Sequence, residues 1–493
     1  MSRPPWGWAV GSVALCLGVC WGALDGIPHV TDEVVYTLQA RIFASGARTA
    51  PGADVASMLS YPFWVTGPDS HAAFPFGWPM LLAVGEGLGL AWLVNPLLMG
   101  AAVLLTWAVG RRLTDEPAAR LGAACVAVSP ALVLLGASRM SHISVMVGLL
   151  LGAWAVVDPR HAGRLLLGGL GVAYCVLARP FDALVVGGPL LLWGLVVLPP
   201  MWRLRVAWIG PAAWAAVWVL LDNQLLTGSF ATFPADAFYA EWAPERPGCN
   251  RLGFGADIGC VPVNGVLGHT FVGALGQAWE RAVLLDRLLV GVPGGLLVSA
   301  GAIAFVRRPV FGVPLALVAL GHLLYWSPGL AYGPRFWALG VPGLCLALGA
   351  AAHRYSAGRA WARWLPGLVV ALSLAGLSQV WAELSDRYWC VDGRLRDHVD
   401  SLGTEDGLLL LRGKGKRPAA WPRLGVPDFT CDPMLEAGDG LLLWDPMGDG
   451  LQVRHALPDD QLPVYRARFQ PERPAWLVVH DVEADERVVS PLP

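Results

Sequence analysis

The chain has 493 residues, of which 55% are hydrophobic and 15% charged, and its mean hydropathy is +0.52. A water-soluble protein carries roughly 25% charged residues, so most of this chain is solvated by lipid, which excludes a soluble enzyme with a membrane tail. The net charge of −2 hides an asymmetry: from Glu383 onward there are 20 acids and 13 bases, before it 17 acids and 22 bases. The sequence carries no basic tract of the kind that grips nucleic acid, so that class of partner is set aside.

A spanning helix needs about 20 apolar residues, and the apolar runs predict a polytopic α-helical membrane protein of about eleven transmembrane helices. The runs centre on Trp8–Leu24, Trp92–Val109, Ala118–Gly136, Ile143–Val157, Leu165–Ala178, Ala183–Leu198, Val206–Leu221, Leu288–Val306, Val310–Pro328, Trp337–Ala352 and Leu365–Trp381. No convincing small-x-small cleavage site closes the first run, which reads as a retained helix.

Arginines that flank short loops stay on the cytoplasmic side. If the spans alternate, Arg3, the Arg111–Arg120 group, Arg160 and Arg164, Arg203 and Arg205, Arg307 and Arg308, and the Arg354–Arg363 group share one face. Single arginines, Arg139, Arg179 and Arg335, mark short loops on the other. The N-terminus is then cytoplasmic and the tail extracytoplasmic; the excess of Arg over Lys suggests a GC-rich bacterial genome, and the expected location is the bacterial inner (plasma) membrane.

Three outer segments are too long to be connectors: 25–91, 222–287 and the tail from residue 382. Irregular backbone exposed to lipid is not tolerated at depth, so the first two should lie at the interface, with helices predicted over Asp32–Ser45 and Gly77–Gly87. The tail alternates turn residues with short apolar runs, and Gly407–Leu411, Gly440–Trp444 and Ala475–His480 read as strands. The expected organisation is a transmembrane domain over 1–382 and a small soluble α/β domain over 383–493.

Five cysteines fall in the apolar runs, while Cys249, Cys260, Cys390 and Cys431 all fall in outer segments. An even number outside suits an oxidising compartment. Four cysteines allow three connectivities, of which proximity favours Cys249–Cys260 with Cys390–Cys431.

The first outer segment opens with His29-Val-Thr-Asp32-Glu33-Val-Val-Tyr36. Read locally, Thr31 or Asp32 caps a helix and the acids favour its positive end. Downstream, Ser60-Tyr61-Pro62 and His71-Ala-Ala-Phe74-Pro75-Phe76-Gly77-Trp78-Pro79 form a rigid segment ahead of the second apolar run. The Asp-Glu pair, this segment and a soluble C-terminal part resemble the GT-C superfamily of membrane glycosyltransferases. Within it they are most similar to the family 39-like group of protein O-mannosyltransferases and aminoarabinose transferases. Ser138-Arg139-Met140-Ser141-His142, Ala178-Arg179-Pro180-Phe181-Asp182 and Tyr332-Gly333-Pro334-Arg335-Phe336 are also similar to segments of bacterial members. The Phe-Pro-Phe-Gly-Trp-Pro stretch departs from that group's usual Tyr-Pro-Pro-Gly-Trp-Pro, and Arg251–Cys260 and Asp392–Leu395 match none of its motifs.

The resemblance implies transfer of a sugar from a polyprenyl-phosphate carrier to a hydroxyl of a glycan, lipid or protein acceptor, at the outer face and with inversion. Such a reaction needs a base for the acceptor proton and fixed positive charge for the departing phosphate. Asp32 is the expected base, with Glu33 orienting it or joining it on a divalent metal; no other cofactor is implied. Arg139, Arg179 and Arg335 are the expected phosphate ligands, since a guanidinium can bind phosphate oxygens in pairs. His29, Tyr36, Trp78 and His142 are candidate substrate contacts. The rivals are a flippase of lipid-linked intermediates, which would need ionisable groups along a path through the membrane, and a scaffold that keeps the fold without catalysis.

Overall fold

Backbone N–H and C=O groups meet no water inside a bilayer and must pair within their own segment, and the apolar runs accordingly fall on helices. The computed structural model describes residues 3–51, 61–159, 161–263, 265–391, 393–394, 397, 407–432, 441, 451–455, 474–484 and 486–492. In chain order the helices are α1 (Trp6–Gly22), α2 (Thr31–Ala44), α3 (Gly77–Gly87), α4 (Ala91–Leu113), α5 (Glu116–Val128), α6 (Pro130–Ala137), α7 (His142–Val156) and α8 (Ala162–Ala178). There follow α9 (Pro180–Val197), α10 (Trp202–Thr227), α11 (Pro234–Trp242), α12 (Phe271–Leu288), α13 (Gly295–Val306), α14 (Val313–Gly321), α15 (Arg335–Ser356) and α16 (Leu365–Ser385).

Among the described residues, α4, α9, α10, α15 and α16 are long and apolar enough to cross a membrane. A sixth crossing results if α5 and α6, bent by 53°, form one span. Helix length alone therefore gives five or six crossings where the sequence suggested about eleven. The difference has local causes. Ser129 precedes Pro130 and is extended (φ −57°, ψ 117°), because the proline ring disfavours helical backbone before it. The run Leu288–Val306 is broken by Gly291 and Gly294, both at positive φ. The run Val310–Pro328 stays helical only to Gly321. Four more apolar helices, α1, α7, α8 and α13, have 10–17 residues each.

Outward-facing Trp214, Trp218 and Leu225 of α10 are exposed, as a lipid-facing surface requires. Inside, α7 and α8 meet at Gly148 and Gly171. A Cβ on either would stand 2.5 or 2.6 Å from the other's carbonyl oxygen, so the helices approach as closely as small residues permit.

Between α2 and α3 lies a small antiparallel sheet of β1 (Ala50–Pro51), β2 (Trp64–Val65) and β3 (Asp69–Ala72), ordered β1-β3-β2. The tail contributes β4 (Gly407–Lys414), β5 (Arg417–Trp421), β6 (Val426–Cys431), β7 (Leu451–His455), β8 (Ala475–Asp481) and β9 (Glu486–Leu492). Its main sheet is ordered β7-β4-β8-β9: β4 runs parallel to β7 and β8, and β9 antiparallel to β8. β5 and β6 form a separate hairpin. Of the strand expected over Gly440–Trp444, all but Leu441 lies outside the described residues.

The tail sheet packs on the membrane body through α2. Val34, Val35, Leu38 and Ile42 of α2 share one buried cluster with Leu409, Leu411, Val453 and Val478. Disulfides join Cys249 to Cys260 and Cys390 to Cys431; the second fixes the β5–β6 hairpin to the end of the last membrane helix.

Candidate active site

The start of α2 puts two adjacent carboxylates to different uses. Its N-cap residue, Val30, has no side-chain oxygen, and Glu33 serves instead. Glu33 Oε2 accepts from the backbone N–H groups of His29 (3.1 Å) and Val30 (3.0 Å), the reach-back half of a capping box. The cap expected from Thr31 or Asp32 is thus supplied by Glu33. This carboxylate is fully buried, and it also accepts from the Tyr332 hydroxyl (2.8 Å) and the Arg139 backbone N–H. One side chain thereby ties α2 to the turn before α7 and to the loop before α15.

Asp32 is left for other work. Its Oδ2 lies 2.9 Å from Nη1 of Arg335, with 13% and 11% of the two side chains exposed. Arg335 enters from the Gly333-Pro334 corner, where Tyr332 (φ 57°) and Gly333 (φ 83°) both take left-handed backbone.

The ring of Phe336 organises the rest. The Arg179, Arg335 and Arg281 guanidiniums stand 5.3, 5.4 and 6.0 Å from its centroid. The imidazoles of His142 and His322 stack near-parallel to it at 5.9 and 4.7 Å. Arg179 is paired with Asp182 and donates to Ser141 Oγ (3.3 Å). His322 Nε2 lies 3.5 Å from Asp182. Tyr36 is buried beside this group; burial pushes its hydroxyl up to about 12, with Asp32 adding to the rise and Arg179 and Arg335 opposing it. The charges of Asp32 and Arg335 also reach Tyr239 of α11 and Tyr325. Asp32, Tyr36, His142, Arg179 and Arg335 are therefore brought together, although they come from four separate stretches of sequence.

Three other residues singled out in the sequence lie around the cluster as framework. Arg139 donates to Thr37 Oγ1 (3.2 Å), Glu86 (3.3 Å) and the Gly26 carbonyl (3.2 Å). Trp78 is fully buried, and its Nε1 donates to the Arg139 carbonyl (2.8 Å). His29 is buried with its ring nitrogens 2.9 and 3.1 Å from the carbonyls of Tyr388 and Leu24. Among the described residues no cluster of three His, Cys, Asp or Glu side chains could hold a metal. Four donors occupy Glu33 and Arg335 faces Asp32, so this pair does not fit a divalent ion. Sequence reasoning missed Ser141, Tyr239, Tyr325 and the central role of Phe336. Phe336 and Ser141 carried a signal, standing next to Arg335 and His142 in the quoted segments.

The chain thus combines a bent multi-helix membrane body, an α2 that carries Asp32 and a C-terminal sheet docked on that helix. No protein-family model and no curated protein matches the sequence. Among solved structures, the chain is similar to ArnT from Cupriavidus metallidurans bound to undecaprenyl phosphate, with a TM-score of 0.52 and 14% identity over 97% of this chain and 93% of that one. It also matches the Archaeoglobus fulgidus oligosaccharyltransferase AglB in complex with an inhibitory peptide and a dolichol-phosphate. That match has a TM-score of 0.39 and 13% identity over 77% of this chain and 55% of that one, too distant to carry an argument. The likeness to ArnT shows the fold, that of an integral membrane protein.

Proposed function

We infer that the protein is a glycosyltransferase of the GT-C type, moving a sugar from a polyprenyl-phosphate carrier to an acceptor hydroxyl at the outer face of the membrane. The observation that carries this reading is the Asp32–Arg335 pair beside Arg179, a base and two phosphate-binding groups in one largely dry cluster. The ArnT-like fold supports the same chemistry, since that protein was found with undecaprenyl phosphate bound.

In this mechanism Asp32 takes the proton of the acceptor hydroxyl as its oxygen attacks the anomeric carbon. The bond from that carbon to the carrier's phosphate oxygen breaks, and its electron pair leaves with the phosphate. Attack from the opposite face inverts the centre. Arg335 and Arg179 neutralise the charge that develops on the phosphate. Arg335 uses one nitrogen on Asp32, so it can hold base and leaving group in register. Glu33, Arg139 and Trp78 act as positioning residues. The acceptor is a glycan, lipid or protein hydroxyl.

The same reading places the protein in a bacterial inner membrane with a cytoplasmic N-terminus. It counts the short and broken helices as crossings, giving about eleven, and places residues 383–493 in the extracytoplasmic space. The test is transfer, or slow hydrolysis, of radiolabelled polyprenyl-phosphate sugars by the purified protein in nanodiscs. Turnover that collapses in Asp32→Asn and Arg335→Ala is expected. No turnover with any donor, together with movement of the carrier across the bilayer, would identify a flippase instead.

A further inference from the structure

His142 opens α7 with 1% of its surface exposed, and neither ring nitrogen has a hydrogen-bond partner among the described residues. A buried imidazole without partners costs stability, whereas a phenyl ring could stack on Phe336 without that cost. The nitrogens therefore call for a ligand. The charged neighbours of His142 are the guanidiniums of Arg179 and Arg335, and all three stand around the Phe336 ring. Arg335 Nε is likewise buried with no partner. Arg281, beside the same ring, gives its donors to the carbonyls of His322, Ser327 and Pro328 and to Gln277. Asp32 and Asp182 pair with Arg335 and Arg179, and the charge of Glu280 acts on Arg281. Unused donors beside two guanidiniums, in a buried place, suit an anion with several oxygens.

We propose that His142 donates from a ring nitrogen to the phosphoryl group held between Arg179 and Arg335, so that three side chains, and not arginines alone, seat the carrier's phosphate. The proposal rests on the glycosyltransferase reading and deepens it. Neutral imidazole carries one N–H, which is sufficient, and no covalent bond changes at this residue. The same donors suit a free phosphate, so the two sources are separated by experiment.

The experiment measures binding of undecaprenyl phosphate, undecaprenol and inorganic phosphate to the full-length protein in nanodiscs, and the thermal midpoint without ligand. Wild type is compared with His142→Phe and His142→Gln. His142→Phe is expected to weaken undecaprenyl phosphate about tenfold or more, the loss of one hydrogen bond to a charged group. It should leave undecaprenol unchanged and raise the ligand-free midpoint, because the orphaned nitrogens are gone. His142→Gln, which keeps a donor, should recover part of the affinity. A merely structural histidine would lower midpoint and affinity together, and that outcome, or equal affinity in wild type and His142→Phe, overturns the proposal. If wild type binds undecaprenyl phosphate no better than undecaprenol, the glycosyltransferase reading fails. In that case His142-dependent binding of inorganic phosphate still supports the anion seat, and its absence refutes it.

Discussion

Glu33→Gln separates the two carboxylates of α2 by their physical roles. Glu33 is fully buried and accepts from His29, Val30, Arg139 and Tyr332. A glutamine whose oxygen takes the Oε2 position keeps three of these acceptor contacts but turns its NH2 group toward the Arg139 N–H, which cannot accept, so at least one of the four loses its partner and the rest lose the charge. At about 1.5–3 kcal/mol for each bond to a charged group, the expected cost is at least about 1.5–3 kcal/mol. Asp32→Asn keeps an oxygen for Arg335 and orphans no backbone group, so its cost should be about 1 kcal/mol. Equilibrium unfolding of the purified protein in mixed micelles, titrated with SDS, reads both values. Transfer assays on the same samples should show activity abolished in Asp32→Asn, and reduced in Glu33→Gln in proportion to lost folded protein and displaced Arg335. The division of roles is refuted if Glu33→Gln unfolds within about 1 kcal/mol of wild type, or if Asp32→Asn is the less stable variant.

The two disulfides close loops of 11 and 41 residues, so chain entropy makes the loss from Cys431→Ser about 1 kcal/mol larger than that from Cys260→Ser; equal losses would contradict that account. Gly148→Ala places a Cβ 2.5 Å from the Gly171 carbonyl oxygen and should cost about 1–3 kcal/mol. Gly163→Ala, with nothing within 4 Å of the added carbon, should be neutral or slightly stabilising in the same titration. Burial, and secondarily the charge of Arg48, hold the His71 imidazole below its usual 6.5. The folded protein thus binds this proton less readily than the unfolded chain, and the stability present above about pH 6.5 is lost as pH falls through the folded value. Stability measured from pH 7.5 to 5 should therefore decline more in wild type than in His71→Gln, and parallel curves would exclude His71 as the cause.

Much of the site was legible because its signals are local. The Asp32-Glu33 pair, the Gly-Pro corner before Arg335 and the lone Arg179 each stood out from apolar surroundings within a few residues. The division of labour between the carboxylates was not legible, because it depends on Arg139 and Tyr332, 106 and 299 residues away. Arg139 looked equivalent to Arg179 and Arg335 until folding brought Glu86, 53 residues distant, against it. The helices expected over Asp32–Ser45 and Gly77–Gly87 lie within a residue of their observed bounds, since Pro and Gly mark their ends. The crossings were harder, because composition registers apolar length and is blind to a bend such as that at Ser129.

The change of composition near Glu383 does not mark a change of mechanical unit. The tail sheet covers one apolar face of α2, while the first turn of that helix carries Asp32 and Glu33. Just beyond the last membrane helix, Arg387, Trp389 and Cys390 all take left-handed backbone, which side chains disfavour, and the Cys390–Cys431 disulfide closes this turn onto the hairpin. Within the turn, the Tyr388 carbonyl lies 2.9 Å from His29 Nδ1, and its hydroxyl accepts from the Tyr332 backbone N–H (2.8 Å). Tyr332 in turn donates to Glu33. The tail therefore reaches the carboxylate pair by two routes, apolar packing along α2 and a hydrogen-bonded path through Tyr388. If Asp32 is the base proposed above, it must meet an acceptor oxygen to within fractions of an ångström and gains from support on both sides; the tail supplies one side and the helices the other.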